Sequence, residues 1–220
     1  MPKPKPVREP LTRDRVVDAA QHIADARGLD AVTIRGLARD LGVEPMSIYH
    51  YAASRDEIVG AIVDRVVEQI ELPPPQAEWK DGIKACAISA HRVLRAHPWA
   101  CAPLMSAPRV SAPRLRQIEA LLSALETAQL PPELADLAYH AIDSHILGFT
   151  MWEAGYASSP ALSGAELTAF LGRIHIERYP NLQAHAMWHV QPKQNNSPNE
   201  FEFGLELILE GVERARDAVR

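Results

Sequence analysis

Apolar residues in this chain recur every three to four positions, with polar residues filling the gaps. This is the repeat of helices that each turn one face to a core. Val16, Val17, Ala20, Ile23 and Ala24 make a first stripe, opened by Thr12 as a cap and closed by Gly28. Thr33 caps a short helix carrying Ile34, Leu37, Ala38 and Leu41, which Gly42 ends. Glu44-Pro45 opens a third helix with proline in the first turn, where its missing N–H costs nothing. Ser54-Arg55-Asp56-Glu57 reads as a capping box launching Ile58, Ile62, Val66 and Ile70. Pro73-Pro74-Pro75 stops that helix and marks a domain boundary.

The second part is helical too. One helix is expected from Trp79 to His97, where Pro98 stops it, then a short piece, then a helix from Ser111 to Gln129. Pro131-Pro132 opens a long helix to about Tyr156. A capping box at Ser163-Gly164-Ala165-Glu166 precedes Leu167, Phe170, Leu171 and Ile174. Residues 180–197, rich in Gln, Asn, Pro and His, read as loop with at most one turn of helix. Ser197-Pro198-Asn199-Glu200 opens a last helix carrying Phe201, Leu205, Ile208, Leu209 and Val212. Strand signals are nearly absent, since no long stretch alternates with period two. The expected fold is all-α with about ten helices. A smaller N-terminal domain over 1–72, with a helix-turn-helix at 33–51 and a linking helix at 54–71, is expected to precede a larger helical domain over 76–220.

The stretch TIRGLARDLGVEPMSIYHY, residues 33–51, carries the most information. Two short helices meet at Gly42-Val43. Ala38 is small where they must touch, and Gly42 tolerates the positive φ of a tight turn. Ile48 faces inward and seats the second helix on the first. Met46, Ser47, Tyr49, His50 and Tyr51 then point out, where hydroxyls reach phosphate oxygens and a thioether touches a thymine methyl if DNA lies there; the plainer alternatives are a surface helical hairpin or a protein-docking patch.

Composition sharpens this picture. The 220 residues are 47% hydrophobic and 23% charged, an ordinary globular balance. No apolar run reaches the length of a membrane span, and no apolar core follows the basic N-terminus as in a signal peptide. Two cysteines, Cys86 and Cys101, fit a reduced, cytoplasmic protein. The net charge of −5 conceals an asymmetry. Lys3, Lys5, Arg8, Arg13 and Arg15 outweigh Glu9 and Asp14 by three, so the rest of the chain carries −8. A basic arm on an acidic body is a weak hint of nucleic acid. Its PxPxP spacing predicts an extended arm, and Lys3, Lys5 and Arg8 are placed to add phosphate contacts.

From Thr12 to Ile70 the chain resembles the DNA-binding domain of the TetR/AcrR transcriptional repressors, on the first helix ending at Gly28 and on TIRGLARDLGVEPMSIYHYAASRDEIV. The C-terminal part is similar to the tetracycline-repressor branch, at FEFGLELILEGVERA (residues 201–215) and at His97-Pro98-Trp99. The resemblance implies a ligand-responsive repressor that grips a palindromic operator as a homodimer and is released by a small-molecule effector. It places Thr33 on a phosphate, Arg35 on a guanine, and Pro45, Met46 and Ser47 at base edges, with Glu44 counted among the DNA-binding positions. It makes Tyr49, His50, Tyr51 and Arg55 phosphate contacts. Glu44 has two plainer alternatives, capping the third helix or repelling wrong sites. Pro45, Met46 and His50 stand where the branch's namesake has glutamine, proline and tryptophan, so the operator is expected to differ.

A four-helix dimer bundle is expected from Leu134, Ala138 and Ala141 on the long helix and Phe201, Leu205, Ile208 and Val212 on the last. The plainer role of those residues is filling the monomer core. Residues expected to line an effector chamber are His97, Trp99, Met105, His140, Asp143, His145, Phe149, Trp152, Glu153 and Tyr156. The branch's namesake holds a metal–drug complex through histidine and glutamate, and His97 and Glu153 fall near such positions. A hydrogen-bonded core histidine is the commoner case. No metal site and no cofactor is assigned.

No nucleophile elbow, zinc-protease, P-loop or dinucleotide motif is present, so no enzyme is expected. Asp143-Ser144-His145 imitates a triad in print, but neighbours on a helix diverge by about 100° and cannot form a relay. The alternative to a repressor is a dimeric helical interaction module without DNA binding.

Overall fold

A computed structural model describes residues 10–74, 76–106, 111–157, 164–190 and 199–219. Those residues form eleven α-helices and no strand. The first four are α1 (Arg13–Arg27), α2 (Ile34–Leu41), α3 (Pro45–Ile48) and α4 (Arg55–Val67). The remainder are α5 (Trp79–Ala96), α6 (Cys101–Ser106), α7 (Ala112–Thr127), α8 (Pro132–Ala157), α9 (Gly164–Arg173), α10 (Pro180–Val190) and α11 (Glu200–Ala218).

The caps explain most boundaries. The hydroxyls of Thr12, Thr33 and Ser54 accept from the backbone N–H groups of Arg15, Gly36 and Glu57, which would otherwise be orphaned at each helix start. The α4 box closes when Glu57 Oε2 accepts from the Ala53 N–H at 2.7 Å. Three expectations are corrected. α4 ends at Val67, short of residue 71. Residues 180–190 form a helix, because Pro180 serves as its first residue and polar His and Gln are ordinary on a solvated helix face. α11 is capped by Asn199, whose side chain accepts from the Phe201 and Glu202 N–H groups. The predicted caps at Ser163 and Ser197 lie outside the described residues.

Two apolar cores form, and they meet within α4. Val16, Val17, Ala20, Ile23 and Ala24 of α1, Leu37 and Ala38 of α2, and Ile48 of α3 pack with Ile58 and Ile62 of α4. Val63, Val66 and Val67 of the same helix, with Ile70 just after it, belong to the second core with α5, α7, α8 and α11. Trp99 packs against both. Beyond α4, Glu71 N–H donates to Ser89 Oγ at 3.0 Å, and Arg92 pairs with Glu71 at 2.7 Å. Arg116 of α7 reaches Glu68 at 3.5 Å. The helix that carries the first core is thus tied along its second half to the helices of the second.

The α8–α11 crossing depends on one missing side chain. A Cβ at Gly204 would lie 2.6 Å from His145 Cε1. The glycine lets the His145 ring lie flat on Phe201 at 4.9 Å and bond the Phe201 carbonyl through Nε2 at 2.9 Å. Gly204→Ala should expel that ring and cost about 1–3 kcal/mol through overpacking, read as a lowered midpoint in denaturant. An unchanged midpoint would show that the crossing has slack.

Candidate nucleic-acid interface and effector domain

Gly42 adopts φ 66° and ψ 36°, the left-handed geometry that turns α2 into α3, and Val43 N–H returns to Ala38 O at 2.9 Å. Ile48 and Leu37 are wholly buried beneath the turn. Outside it, Thr33, Arg35, Glu44, Met46, Tyr49 and His50 are exposed, with Pro45 and Ser47 half-buried. Met46 is 70% exposed, an unusual position for a thioether with nothing to cover it. Glu44 precedes α3 but its side chain makes no capping bond, so the cap explanation of that residue falls away.

Two of the expected phosphate contacts have other partners. Arg55 Nε donates to Val32 O at 2.7 Å and its guanidinium also donates to Leu29 O at 2.9 Å. It therefore ties α4 to the segment before α2, and the cation that was assigned to DNA serves the frame. Tyr51 donates its hydroxyl proton to Leu11 O at 2.7 Å, so that proton is not directed at a phosphate. Arg65 of α4 pairs with Asp14 at 3.4 Å and with Asp18 of α1, which steadies the same frame. Arg39, exposed one turn after Arg35, was missed in the sequence although the i, i+4 spacing puts both on one face.

The residues expected to line a chamber scatter into three groups. His97 Nδ1 and Trp99 Nε1 each lie 2.7 Å from Asp25 Oδ1 of α1, at the junction of the two cores. Glu153 instead meets His91 Nε2 at 3.4 Å and Arg95 Nε at 3.5 Å. His97 and Glu153, matched to the metal-holding positions by resemblance, thus engage different partners. Among the described residues no group of three or more His, Cys, Asp and Glu is gathered as a metal ion would need. His140 pairs with Asp136 on the exposed side of α8, and Met105, Trp152 and Tyr156 are also exposed, so none of the four lines an interior chamber.

The interior group comprises Asp143, His145, Phe149 and Glu153, joined by three residues missed in the sequence: His91, Arg114 and Thr150. Phe201 lies between two imidazoles, His91 at 4.0 Å and His145 at 4.9 Å, with Phe149 edge-on at 5.6 Å. His91 Nδ1 is 2.9 Å from Thr150 Oγ1. Burial holds its pKa below the ordinary histidine value, against the pull of Glu153, so the ring is neutral at pH 7. Arg114 binds Asp143 at 2.6 Å and Gln117 at 2.7 Å. Asp143 Oδ1 and Glu153 Oε2 are buried without a hydrogen bond among the described residues. His91 carried a usable signal, a polar residue within the apolar stripe of Ala87, Ala90 and Leu94. Burial raises the Cys86 thiol to about 12 and Cys101 to about 11, so both are core packing and not thiolates.

On the outer side of the second core, the expected dimer residues divide. Phe201, Leu205 and Val212 are buried within the subunit, because α11 packs against α5 and α8, and Ala138 of α8 is buried in the same core. They are core, which corrects the expectation. Leu134 and Ile208 are half-buried and Ala141 is exposed. The large apolar side chains that α8 and α11 leave uncovered are Leu137, Met151, Trp152, Tyr156, Phe203 and Leu207, and the small Ala141 and Ser144 of α8 are exposed as well. Among the described residues no helix is long and apolar enough to cross a membrane.

Comparison with known proteins bears on both halves. Residues 16–62 match the family model described as bacterial regulatory proteins, tetR family. Residues 72–216 match that of the tetracyclin repressor-like C-terminal domain. The HTH-type transcriptional repressor DrrR1 of Streptomyces coeruleorubidus is 29% identical, over 96% of this chain and 79% of its own. The structure of ActR, a TetR family protein of Streptomyces coelicolor, in complex with actinorhodin superposes with a TM-score of 0.76 at 26% identity, covering 96% of this chain and 99% of ActR. A tetracycline repressor variant of Acinetobacter baumannii in complex with minocycline shares the fold, with a TM-score of 0.66 at 21% identity over 94% and 95% of the two chains.

Proposed function

Because this chain belongs to the TetR family of bacterial transcriptional regulators, we infer that it is a ligand-responsive repressor that holds a near-palindromic operator as a homodimer. The observation that carries the reading is the α2–α3 turn, with Ile48 buried beneath it and Arg35, Met46, Tyr49 and His50 exposed above. In this reading Arg35 is the base reader, forming a bidentate pair with guanine. Thr33 accepts from its own helix and keeps its O–H to donate to a phosphate. Pro45, Met46 and Ser47 face base edges, with Glu44 beside them, while Tyr49 and His50 flank them on the backbone. Arg55 and Tyr51 hold this surface in place.

The subunits pair through Leu137, Ala141, Ser144, Phe203 and Leu207. Pairing sets the two reading heads one helical repeat apart, or a multiple of it. The effector belongs to the interior group. Buried carboxylate oxygens without hydrogen bonds, Asp143 Oδ1 and Glu153 Oε2, favour a ligand that brings N–H or O–H donors. The stacked rings of His91, Phe149 and Phe201 favour an aromatic body. The complex of ActR with actinorhodin shows that a relative of this fold takes a small molecule. Release follows if the ligand prefers a state in which α5 and α7 have shifted, because Glu71, Glu68 and Asp25 transmit that shift to α4 and α1.

Selection of bound duplexes from a random pool tests the function. A palindromic consensus is expected, and the absence of any preferred duplex at low salt would leave an interaction module in its place. On the recovered duplex, Arg35→Ala should cost roughly 1–3 kcal/mol and relax specificity at one base pair in each half-site. Equal binding of all sequences by parent and variant would remove Arg35 from the reading surface.

A further inference from the structure

Around His91 the hydrogens run short, and two acceptors face each other with none between. Thr150, fully buried on α8, has one hydroxyl hydrogen and donates it to Ile146 O at 2.6 Å. Only lone pairs remain on that oxygen, so it accepts from His91 Nδ1 at 2.9 Å. The neutral ring carries a single N–H, which is thereby held on Nδ1. Nε2 is left as a bare lone pair. It faces Glu153 Oε2 at 3.4 Å, a buried oxygen that accepts no hydrogen bond among the described residues.

The neighbours do not fill the gap. Arg95 meets Glu153 at its other oxygen, Oε1, at 3.5 Å. His145 is engaged through its own Nε2 with the Phe201 carbonyl. The His91 ring is also held in its plane, with Phe201 stacked on it at 4.0 Å and Phe149 edge-on at 5.7 Å. The Glu153 side chain keeps 30% of its exposure against 11% for His91, so the pair is reached from the Glu153 side.

Two acceptors this close are bridged by one atom that carries two hydrogens. A lone O–H serves only one of them, and an ether serves neither. We propose that His91 Nε2 and Glu153 Oε2 form a clamp for the amino group of an aromatic ligand, with Thr150 as the positioning residue that keeps the His91 lone pair turned toward it. The charge of Glu153 favours the protonated amine, and the rings of Phe149 and Phe201 favour the aromatic body. The proposal rests on the effector reading and narrows it, from any donor-bearing ligand to one with two hydrogens on a single nitrogen. The histidine it uses is not His97, the one that the resemblance suggested.

The test uses the full chain with isotopically labelled histidine nitrogens, and three probes on one ring system: naphthylmethylamine, naphthylmethanol and the methyl ether of that alcohol. Nuclear magnetic resonance of the free protein should find the His91 hydrogen on Nδ1. Each hydrogen bond to a desolvated or charged acceptor is worth about tenfold in affinity. The amine should therefore bind on the order of 10²-fold more tightly than the ether, with the alcohol between, and should move the Nε2 resonance. A preference below about tenfold, or binding that leaves Nε2 unmoved, overturns the clamp. So does failure of all three probes to bind at millimolar concentration, which would leave an ordered water as the bridge. Thr150→Val removes the acceptor that holds the Nδ1 hydrogen. The hydrogen should then move to Nε2, where Glu153 accepts it, and the preference for the amine should vanish, while Thr150→Ser restores both. A hydrogen that stays on Nδ1 in Thr150→Val denies Thr150 the positioning role. The probes report on the clamp without DNA. A protein that takes the amine at Nε2 but grips no duplex keeps the clamp and loses the repressor reading, and one that grips a duplex but not the amine keeps the repressor and loses the clamp.

Discussion

Phe203→Glu combined with Leu207→Glu should convert the protein into a folded monomer whose operator affinity is lower by on the order of 10³-fold. Both side chains are more than half exposed on the subunit, at 58% and 52%, so neither change disturbs its core. Four carboxylates brought together in one interface cannot be desolvated, and the dimer would separate. What DNA binding then loses is the link between heads. A second half-site engaged within the same molecule is worth 10²–10⁴ in avidity, and a monomer forfeits it. Sedimentation should show half the parent mass, circular dichroism an unchanged helix content, and titration of the selected duplex the loss in affinity. A variant that stays dimeric with full affinity would move the interface off α8 and α11. The same substitutions at Leu205 or Val212 should unfold the subunit instead, because those residues are buried within it.

Asp143→Ala should destabilise the second core by about 3–5 kcal/mol, a large share of the total for a domain of this size. Arg114 and Asp143 retain only 10% and 17% side-chain exposure. Removing the carboxylate leaves a guanidinium buried, with Gln117 as its remaining hydrogen-bonded partner. Replacing both members together, Arg114→Met with Asp143→Leu, should restore stability to near the parent level, since no charge is then left without its partner. Denaturant midpoints of the single and double variants decide the matter. If the double variant is as unstable as the single one, the site is held by packing and not by the pair. The pair also bears on regulation, because Asp143 presents a second, unbonded oxygen to the interior, and a ligand donor placed there would strengthen with burial.

The helix count and most helix starts were legible in the sequence because a cap is a local event. A hydroxyl at Thr12, Thr33 or Ser54 answers a backbone N–H three residues on, and no distant residue is consulted. Gly42 and Ile48 were legible for a similar reason: a turn between two short helices permits few arrangements. Residues 180–190 were misread because polar content was taken for loop when it marked only a solvated face.

Sequence by itself thus determined which segments other than 180–190 are helical, where the chain turns to make a helix-turn-helix, and which family the chain resembles. The tertiary structure alone decided what each side chain meets. An amphipathic stripe shows that a helix is buried on one side, but not whether the covering surface belongs to its own subunit, which is why Phe201 and Leu205 proved to be core while Phe203 and Leu207 remained uncovered. A charged residue near a motif likewise does not reveal its partner. Arg55 and Tyr51 turned to the backbone at Val32, Leu29 and Leu11, and His97 to Asp25 of α1, through contacts of 23 or more residues' separation that have no period to read. Helical periodicity is a property of one segment, whereas a hydrogen bond between segments exists only once both have been brought together.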